Sequence, residues 1–561
     1  MTEIQSRSRS QTPTTIADTH KSISNSQKTL PNSPSFYDSA LRTSSIPSAI
    51  IDDHNGDFAR LTPANRLACD AFHRVVTKLR ALPEESQRPL KYMHFVLQEA
   101  PPLTDWSDSD SEVQPRSHEL SMFTGYYRFN LDTCPADWGW TFGALLGIRP
   151  GDVDLVLSDG RNDNIHSRHG RFTHNLSNSA FLILVPRKRK IVLGGERELQ
   201  GTSEVLWAQT TGITIGNLTY RLTYTDLDKD EYLQQLGARR IGCGLSLQTP
   251  ETLQPTPEPH HYVLENYVIK GTFARGSTST VVAGLKRRGG DAVAIKKIQR
   301  TKYNLPVIKN EIEVSEKLGV HPRICSLLQV IYSGGDKDTI GPHGVDEVHL
   351  IYEPFGICLF ADLISSNSSQ KDRVLVFKQC LEGVAFLHRK GLMHRDLKPG
   401  NIAMASINPP EAFIIDFGVA TWDQSAINHM VGTIAYLAPE VLCLKEKIST
   451  SPYGKTVDIW ALGLCGAELF SRQKAWWNYK FEKATFCLLM EAQRRKMPVA
   501  EGTSLGQIHK LLDCMLQYQA ADRTSAEAAL LHESLQDLEA NDLNDDSLQH
   551  HRKRRRVVEI T

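Results

Sequence analysis

Four polar residues between positions 396 and 416 are of types that could bind ions and transfer protons together. Asp396 is followed closely by Lys398 and Asn401, and a second carboxylate, Asp416, stands further along the chain. Carboxylate and carboxamide oxygens bind hard divalent cations, and a lysine ammonium group binds phosphate. The set therefore indicates a site that handles phosphate groups together with magnesium ions.

These residues belong to a longer series of short motifs. The series reads His-Arg-Asp-Leu-Lys-Pro-Gly-Asn over residues 394–401, Asp-Phe-Gly over 416–418 and Ala-Pro-Glu over 438–440. In this order and with these gaps it resembles the catalytic loop, the metal-binding turn and the end of the activation segment of eukaryotic protein kinases. One tripeptide alone would recur by chance, but three in the right order are specific.

Residues 263–535 carry this resemblance throughout, and we predict there a bilobal α+β protein kinase domain. The run Val-Ala-Ile-Lys over 293–296 ends at Lys296, which in the family pairs with the α- and β-phosphates. Its partner on the following helix is Glu311, because apolar residues recur after it at helical intervals, and Glu313 is the alternative.

The nucleotide loop of the family normally contains three glycines, which let the backbone approach the phosphates. Only Gly276 is present here, with Ala274 and Ser279 in the other two positions, and both replacements are small. ATP binding is therefore expected, with Tyr352 controlling access to the pocket behind the adenine. The residues that the resemblance assigns to ATP binding are Ala274, Gly276, Ser279, Val281, Ala294, Lys296, Glu353, Phe355 and Ala403.

The same resemblance assigns the chemistry. Asp396 accepts or orients the proton of the substrate hydroxyl, Lys398 lies beside the transferred phosphoryl group, and Asn401 and Asp416 hold Mg²⁺. The run Gly-Thr-Ile-Ala-Tyr over 432–436 favours a serine/threonine kinase over a tyrosine kinase. We predict an enzyme that transfers the γ-phosphate of ATP to Ser and Thr hydroxyls of protein substrates. The alternative is a catalytically weak kinase-fold scaffold that docks partners through an upstream domain.

The expected control of the site departs from the family pattern. Arg395 normally meets a phosphorylated residue of the activation segment, but the usual acceptor position holds His429. Ser425 and Thr421 are the remaining candidates for a regulatory phosphate, and the alternative is a segment that orders without one. Gly400 replaces an acidic residue that favours basic substrates in the family, which argues against a strong preference for arginine near the acceptor.

A second domain is predicted upstream, over residues 122–226. Many short strand-like runs bounded by Gly and Pro, without a long helix, indicate a β-sandwich. Arg149, followed by Ile-His-Ser-Arg-His-Gly-Arg-Phe over 165–172 and Gly-Asn-Leu-Thr-Tyr over 216–220, resembles a forkhead-associated (FHA) domain, whose loops bind phosphothreonine peptides. The alternative is a degenerate sandwich used for docking. The resemblance assigns phosphothreonine binding to Arg149, His166 and Ser167.

The remaining segments are predicted from their composition. A Ser- and Thr-rich stretch with few apolar residues cannot offset the entropy of ordering. A basic run, Arg-Lys-Arg-Arg-Arg over 552–556, predicts nuclear localisation, with some protein in the cytoplasm. We predict a disordered tail over 1–60, a helix and an acidic linker over 61–121, an interdomain linker over 227–262 and a disordered tail with the basic run over 536–561.

Composition argues against several classes of protein. The 64 basic and 64 acidic residues cancel, so no overall field favours direct binding to nucleic acid. The 10 cysteines are scattered without a Cys-x-x-Cys pair, as in reducing compartments, and no apolar run is long enough to span a membrane. An FHA-like domain ahead of a serine/threonine kinase resembles the checkpoint-kinase family of DNA-damage and meiotic signalling, and a role in such a pathway is expected.

Overall fold

The computed structural model describes residues 56–536 with internal gaps. Most of the predicted N-terminal tail, the acidic linker and the C-terminal basic run lie outside the described residues, as do Arg149 and Gly276. None of the described helices is both long enough and apolar enough to cross a membrane. The gaps are 85–86, 88, 90, 92, 101–121, 136–137, 146–152, 161, 245–252, 254–261, 276–278, 342–345 and 474–503.

Two mostly antiparallel sheets form the N-terminal domain. Their strands are β1 (Asp57–Pro63), β2 (His94–Ala100), β3 (Met122–Asn130), β4 (Gly139–Ala144), β5 (Leu155–Ser158), β6 (Gly170–His174), β7 (Phe181–Val185), β8 (Ile191–Leu193), β9 (Arg197–Leu199), β10 (Thr202–Val205), β11 (Thr210–Ile215) and β12 (Leu218–Tyr224). The orders are β2-β3-β1-β12-β11-β8-β9 and β10-β7-β6-β4-β5. Phe129 of the first sheet contacts Trp140 and Phe172 of the second at ring-centroid distances of 5.1 and 4.9 Å, so the sheets pack face to face around one aromatic core.

This sandwich begins earlier along the chain than the sequence predicted. β1 lies between β3 and β12 and buries Phe58 and Leu61. The helix α1 (Arg66–Arg80), whose first turn is capped by the Asn65 side chain, packs its apolar face on the same core. The predicted tail over 1–60 therefore overlaps β1, and the predicted start of the sandwich at residue 122 is too late along the chain. β1 is hard to recognise because charged residues interrupt its short apolar pattern.

A second helix, α2 (Lys229–Gly242), completes the sandwich domain. Tyr232 and Leu236 are buried in the sandwich core. The Arg239 guanidinium donates hydrogen bonds to two backbone carbonyls of the loop after β3, at 2.7 and 2.8 Å. The first half of the predicted linker over 227–262 is thus a packed helix.

The C-terminal domain has two lobes, of which the smaller is built on one sheet and one helix. Its elements are β13 (Tyr262–Leu264), β14 (Tyr267–Arg275), β15 (Ser279–Lys286), β16 (Ala292–Arg300), α3 (Leu305–Leu318), β17 (Ser326–Tyr332) and β18 (Asp346–Glu353). The strand order is β13-β14-β15-β16-β18-β17. Strands β16 and β18 are interior, so their inward-facing side chains are held at fixed positions above the space between the lobes.

The larger lobe is mainly helical. Its elements are β19 (Cys358–Leu359), α4 (Phe360–Ser365), α5 (Gln370–Lys390), β20 (Ile402–Ile407), β21 (Pro410–Ile414), α6 (Pro439–Lys445), α7 (Thr456–Ser471), α8 (Ser504–Met515) and α9 (Ala526–Leu530). Every residue of α7 after Thr456 is buried, as expected of a helix at the centre of a lobe. Gly391 caps the C-terminus of α5 in a left-handed conformation, with a φ of +83°, and the chain then continues into residues 392–401.

The sandwich is seated on the small lobe. Leu182 and Val205 of the sandwich share an apolar cluster with Val268 and Leu285 of the small-lobe sheet and with Phe355, which follows β18. Polar contacts frame this cluster: the side-chain amides of Asn175 and Asn178 donate to the carbonyls of Gly289 and Gly290 at 2.9 and 2.7 Å, and the Arg287 guanidinium donates to the buried Glu204 carboxylate at 2.9 Å. The two domains therefore bury apolar and charged groups against each other.

Candidate active site

A cleft between the two lobes collects most of the residues predicted to bind ATP. Strands β14 to β16 form its roof, and β20 contributes the floor, with Ala294 above and Ala403 below. The carboxylate of Glu353 instead accepts a hydrogen bond from Lys286 at 2.7 Å, so any contact of Glu353 with ATP would come from its backbone. Seven of the nine predicted residues line the cleft, namely Ala274, Ser279, Val281, Ala294, Lys296, Phe355 and Ala403.

Lys296 is paired at the inner end of this cleft. Its ammonium group donates to both oxygens of Glu311, at 2.7 and 2.9 Å, and to Asp416 at 2.9 Å. Glu313, the alternative partner, is exposed on α3, whereas Glu311 is buried. Burial alone would lower the pKa of Lys296, but the two carboxylates outweigh it and raise that pKa. The ammonium group is therefore charged and fixed where phosphate would lie.

The predicted base stands in a dense network of hydrogen bonds. One oxygen of Asp396 accepts hydrogen bonds from the Lys398 ammonium group at 2.8 Å and from the Asn401 amide at 2.9 Å. The other accepts one from the Thr433 hydroxyl at 2.7 Å, and Lys398 also donates to that hydroxyl at 2.8 Å. Thr433 was not among the predicted site residues. It lies in the run over 432–436, which in the sequence indicates only the class of kinase.

Asp458 holds the backbone that carries the base. Its side chain accepts hydrogen bonds from the backbone N–H groups of His394 and Arg395, at 2.9 and 2.8 Å, and its carboxylate lies 2.9 Å from the His388 ring. Burial alone would raise the pKa of this carboxylate, but the hydrogen bond and charge of His388 help to keep that pKa below its ordinary value. Arg395 adopts a φ of +67°, a left-handed conformation that is unfavourable for most residues. The hydrogen bonds to Asp458 stabilise it.

The predicted metal ligands face one cavity. Asn401 and Asp416 line it together with Asp396 and Lys398. Because the Asn401 amide nitrogen donates to Asp396, its carbonyl oxygen is directed elsewhere and is available to a cation. No cluster of three His, Cys, Asp or Glu side chains that could hold a metal occurs among the described residues. Two oxygen ligands fit magnesium, which commonly shares its coordination sphere with substrate phosphates.

Residues 267–535 match the family model for "Protein kinase domain". The match covers 269 of the 561 residues of the chain. A calcium/calmodulin-dependent protein kinase type 1 of Macrobrachium nipponense is 34% identical over 217 residues, which cover 36% of this chain and 58% of that protein. A probable serine/threonine-protein kinase, fhkD of Dictyostelium discoideum, is 29% identical over 237 residues, covering 39% of this chain and 30% of that protein. Both relatives are named as protein kinases.

One solved structure aligns with much of this chain at low similarity. The crystal structure of Rad53 1-466 in complex with AMP-PNP aligns with 71% of this chain and 91% of that chain, at 20% identity and a TM-score of 0.41. The chain spans less than two thirds of the length of the curated relatives it matches.

The activation segment of the kinase domain is held by backbone contacts. Met393 and Thr421 exchange two hydrogen bonds of 2.9 Å, and Ala426 and Tyr453 exchange a second pair of the same length. The Arg395 guanidinium donates to the carbonyl of Val419 at 2.7 Å. These contacts join the segment to the loop that carries Asp396 and to the residues before α7.

The predicted regulatory positions lie along this same segment. Ser425 is exposed, and His429 is partly exposed. The Thr421 hydroxyl donates to Asp423 at 2.8 Å. The Arg395 guanidinium, which the resemblance assigns to such a phosphate, contacts the Val419 carbonyl through Nε.

The structure describes part of the predicted phosphothreonine site of the sandwich. His166 is exposed and Ser167 is partly exposed in the loop between β5 and β6. His169 is buried; its ring accepts a hydrogen bond from the backbone N–H of His166 at 3.3 Å and lies 3.0 Å from the carbonyl of Lys190. Burial lowers the pKa of His169, as expected of a structural histidine. The third predicted residue, Arg149, lies outside the described residues.

Proposed function

We propose that this protein is a serine/threonine protein kinase that uses ATP and Mg²⁺ to phosphorylate protein substrates. One observation supports the proposal most. The Lys296 ammonium group lies 2.7 Å from a Glu311 carboxylate oxygen, and Asp396, Asn401 and Asp416 face the same cavity. Crowded charged groups cost stability, and they cluster at functional sites. A scaffold would have no need to keep these groups together.

The contacts around Asp396 suggest separate roles for this carboxylate and for Lys398. With one carboxylate oxygen bonded to Lys398 and Asn401 and the other to Thr433, the carboxylate is oriented before substrate arrives. A substrate hydroxyl that replaces the Thr433 contact would give its proton to Asp396. Lys398, released in part from Thr433, would then balance charge on the transferred group. Bound magnesium neutralises charge that develops on the phosphoryl oxygens.

Two neighbouring lysines allow a matched test of this proposal. Lys296→Ala removes the group that is poised for the phosphates, and we expect transfer of radiolabelled phosphate from ATP to a generic protein substrate to fall by about 10²-fold or more. Lys297→Ala removes an exposed lysine of the same strand, which pairs with Glu347, and should leave the rate unchanged. A wild-type protein that transfers no phosphate in the presence of Mg²⁺ would instead support the scaffold alternative.

For the sandwich we propose FHA-like docking of a phosphothreonine-containing partner. The support is the packed β-sandwich, the buried His169, whose ring contacts the backbone of His166 and Lys190, and the exposed loop that holds His166 and Ser167. The guanidinium of Arg149 is the group in the sequence pattern that suits a phosphate.

The docking proposal is tested by peptide binding to the full chain. Arg149→Ala is expected to weaken binding of a fluorescent phosphothreonine peptide library by about tenfold or more, because charge-assisted hydrogen bonds to phosphate are strong. Arg221→Ala, at an exposed position of β12, serves as the control and should bind like the wild type. If the unmutated protein binds phosphorylated and unphosphorylated peptides equally, the sandwich has another role.

We also infer a role in nuclear checkpoint-type signalling, which rests on the order of the two domains and on the basic run over 552–556. Cells that carry the Lys296→Ala protein should then lose a set of phosphorylation sites after DNA damage, measured by phosphoproteomics. An unchanged set of damage-induced sites would argue for a different pathway.

A further inference from the structure

The tyrosine behind the nucleotide cleft makes a contact that its predicted role as a steric barrier does not need. The Tyr352 hydroxyl donates a hydrogen bond to Glu311 at 3.0 Å. The tyrosine is 8% exposed and Glu311 is 3% exposed, so the contact is shielded from water. Hydrogen bonds between a neutral donor and an ionised acceptor are stronger than neutral pairs, and more so when buried.

Strand register explains why the two side chains meet. Ala294 lies opposite Tyr352 and Lys296 lies opposite Leu350 in the antiparallel pair of β16 and β18. Residues two apart on a strand point to the same face, so Tyr352 and Lys296 both project toward Glu311 on α3. Because β18 is flanked by β16 and β17, the tyrosine backbone cannot shift without breaking hydrogen bonds on both sides.

The contacts of Glu311 divide into two kinds. Lys296 bonds both of its oxygens but is shared with Asp416, and it must also reach the nucleotide phosphates. Tyr352 bonds one oxygen of Glu311 from its fixed place on the interior strand β18. Burial raises the pKa of Tyr352, and the Glu311 charge raises it further, so the hydroxyl remains a donor. When Lys296 contacts phosphate as well, the tyrosine is a second contact that keeps Glu311 in place.

We propose that Tyr352 is a positioning residue for phosphoryl transfer, which holds Glu311, and with it α3, against the small-lobe sheet while Lys296 engages ATP. This inference rests on the proposed kinase function. It assigns the role to the hydroxyl rather than to the ring: the ring separates the cleft from the space behind it, while the hydroxyl sets the position of α3. Loss of the hydroxyl should therefore slow the transfer step and leave nucleotide binding almost intact.

A pair of single-atom deletions tests the inference. Tyr352→Phe keeps the ring and removes the hydroxyl. Tyr267→Phe is the matched control, because that tyrosine lies in the same sheet and its hydroxyl donates to Gln329 at 3.1 Å, away from Glu311. We expect Tyr352→Phe to lower the single-turnover rate of phosphate transfer at saturating ATP by about tenfold. The Kd for an ATP analogue should change by less than about twofold, and Tyr267→Phe should match the wild type.

A double-mutant cycle with Glu311→Gln identifies the partner. In the Glu311→Gln background the additional Tyr352→Phe change is expected to have a much smaller effect on the transfer rate, because the two residues act through one contact. A full tenfold effect in that background, a wild-type rate for Tyr352→Phe, or an equal loss for Tyr267→Phe would each overturn the inference.

Hydrogen exchange separates this inference from the proposed function. Backbone amides of α3 should exchange faster in Tyr352→Phe than in Tyr267→Phe, whether or not the protein transfers phosphate. An inactive wild-type protein would refute the kinase proposal, and the exchange rates would still decide whether Tyr352 holds the helix. Equal exchange in the two variants would overturn the inference even in an active enzyme.

Discussion

Replacement of Asp396 by asparagine is expected to lower the rate of phosphate transfer by about 10²- to 10⁴-fold, the usual contribution of a general base. Asparagine has nearly the same shape, so the neighbours that hold the side chain, Lys398, Asn401 and Thr433, keep their places. What disappears is the negative charge and the ability to accept a proton. The effect should therefore fall on kcat, with little change in the KM for ATP.

A nearby carboxylate provides the control for this substitution. Asp423 is exposed in the activation segment and accepts a hydrogen bond from Thr421. Asp423→Asn makes the same chemical change outside the cavity and should retain the wild-type rate within about twofold. Steady-state assays of both proteins against one substrate make the comparison. Near-normal activity of Asp396→Asn would show that another group takes the proton.

The second large effect is expected in stability. Arg523 and Glu440 form an ion pair in which Nη1 donates to Oε1 and Nη2 donates to Oε2, each at 2.7 Å. The Arg523 side chain is fully buried, lies over the ring of Trp460 at 5.0 Å and also donates to backbone carbonyls, including that of Gln517. Arg523→Ala leaves a carboxylate and these carbonyls without their partner, which costs about 3–5 kcal/mol in buried pairs.

Thermal unfolding measures this loss. For a domain of this size each kcal/mol lowers the midpoint by about 2–4 °C, so Arg523→Ala should melt roughly 6–20 °C below the wild type. Lys297→Ala breaks an exposed pair whose two side chains are 35% and 40% accessible, and it should cost no more than about 1 kcal/mol. Equal midpoints for the two variants would mean that burial does not set the strength of these pairs.

Sequence reasoning located the parts of the site that lie within single motifs. Asp396, Lys398 and Asn401 are fixed relative to one another by a few peptide bonds, so their order along the chain already determines their neighbourhood. The partner of Lys296 was also assignable, because helical periodicity places Glu311 on the buried face of α3 and Glu313 on the exposed one.

Contacts between distant segments could not be predicted in this way. Thr433 reaches Asp396 across 37 residues, and Tyr352 reaches Glu311 across 41. Nothing in the local pattern of a strand tells which helix its tyrosine will meet, because that depends on strand order and register. The same limit applies to β1, whose place between β3 and β12 is set by pairing with strands more than sixty residues away.

The contact between the sandwich and the small lobe bears on how the kinase domain can be studied in isolation. A fragment that starts at residue 263 would leave Val268 and Leu285 with an uncovered apolar surface, remove the Glu204 carboxylate from Arg287, and deprive Phe355 of its packing beside the cleft. Exposed apolar patches promote association. We therefore expect such a fragment to associate more readily and to have an altered cleft, so the proposed activity is best measured on the chain that retains its sandwich.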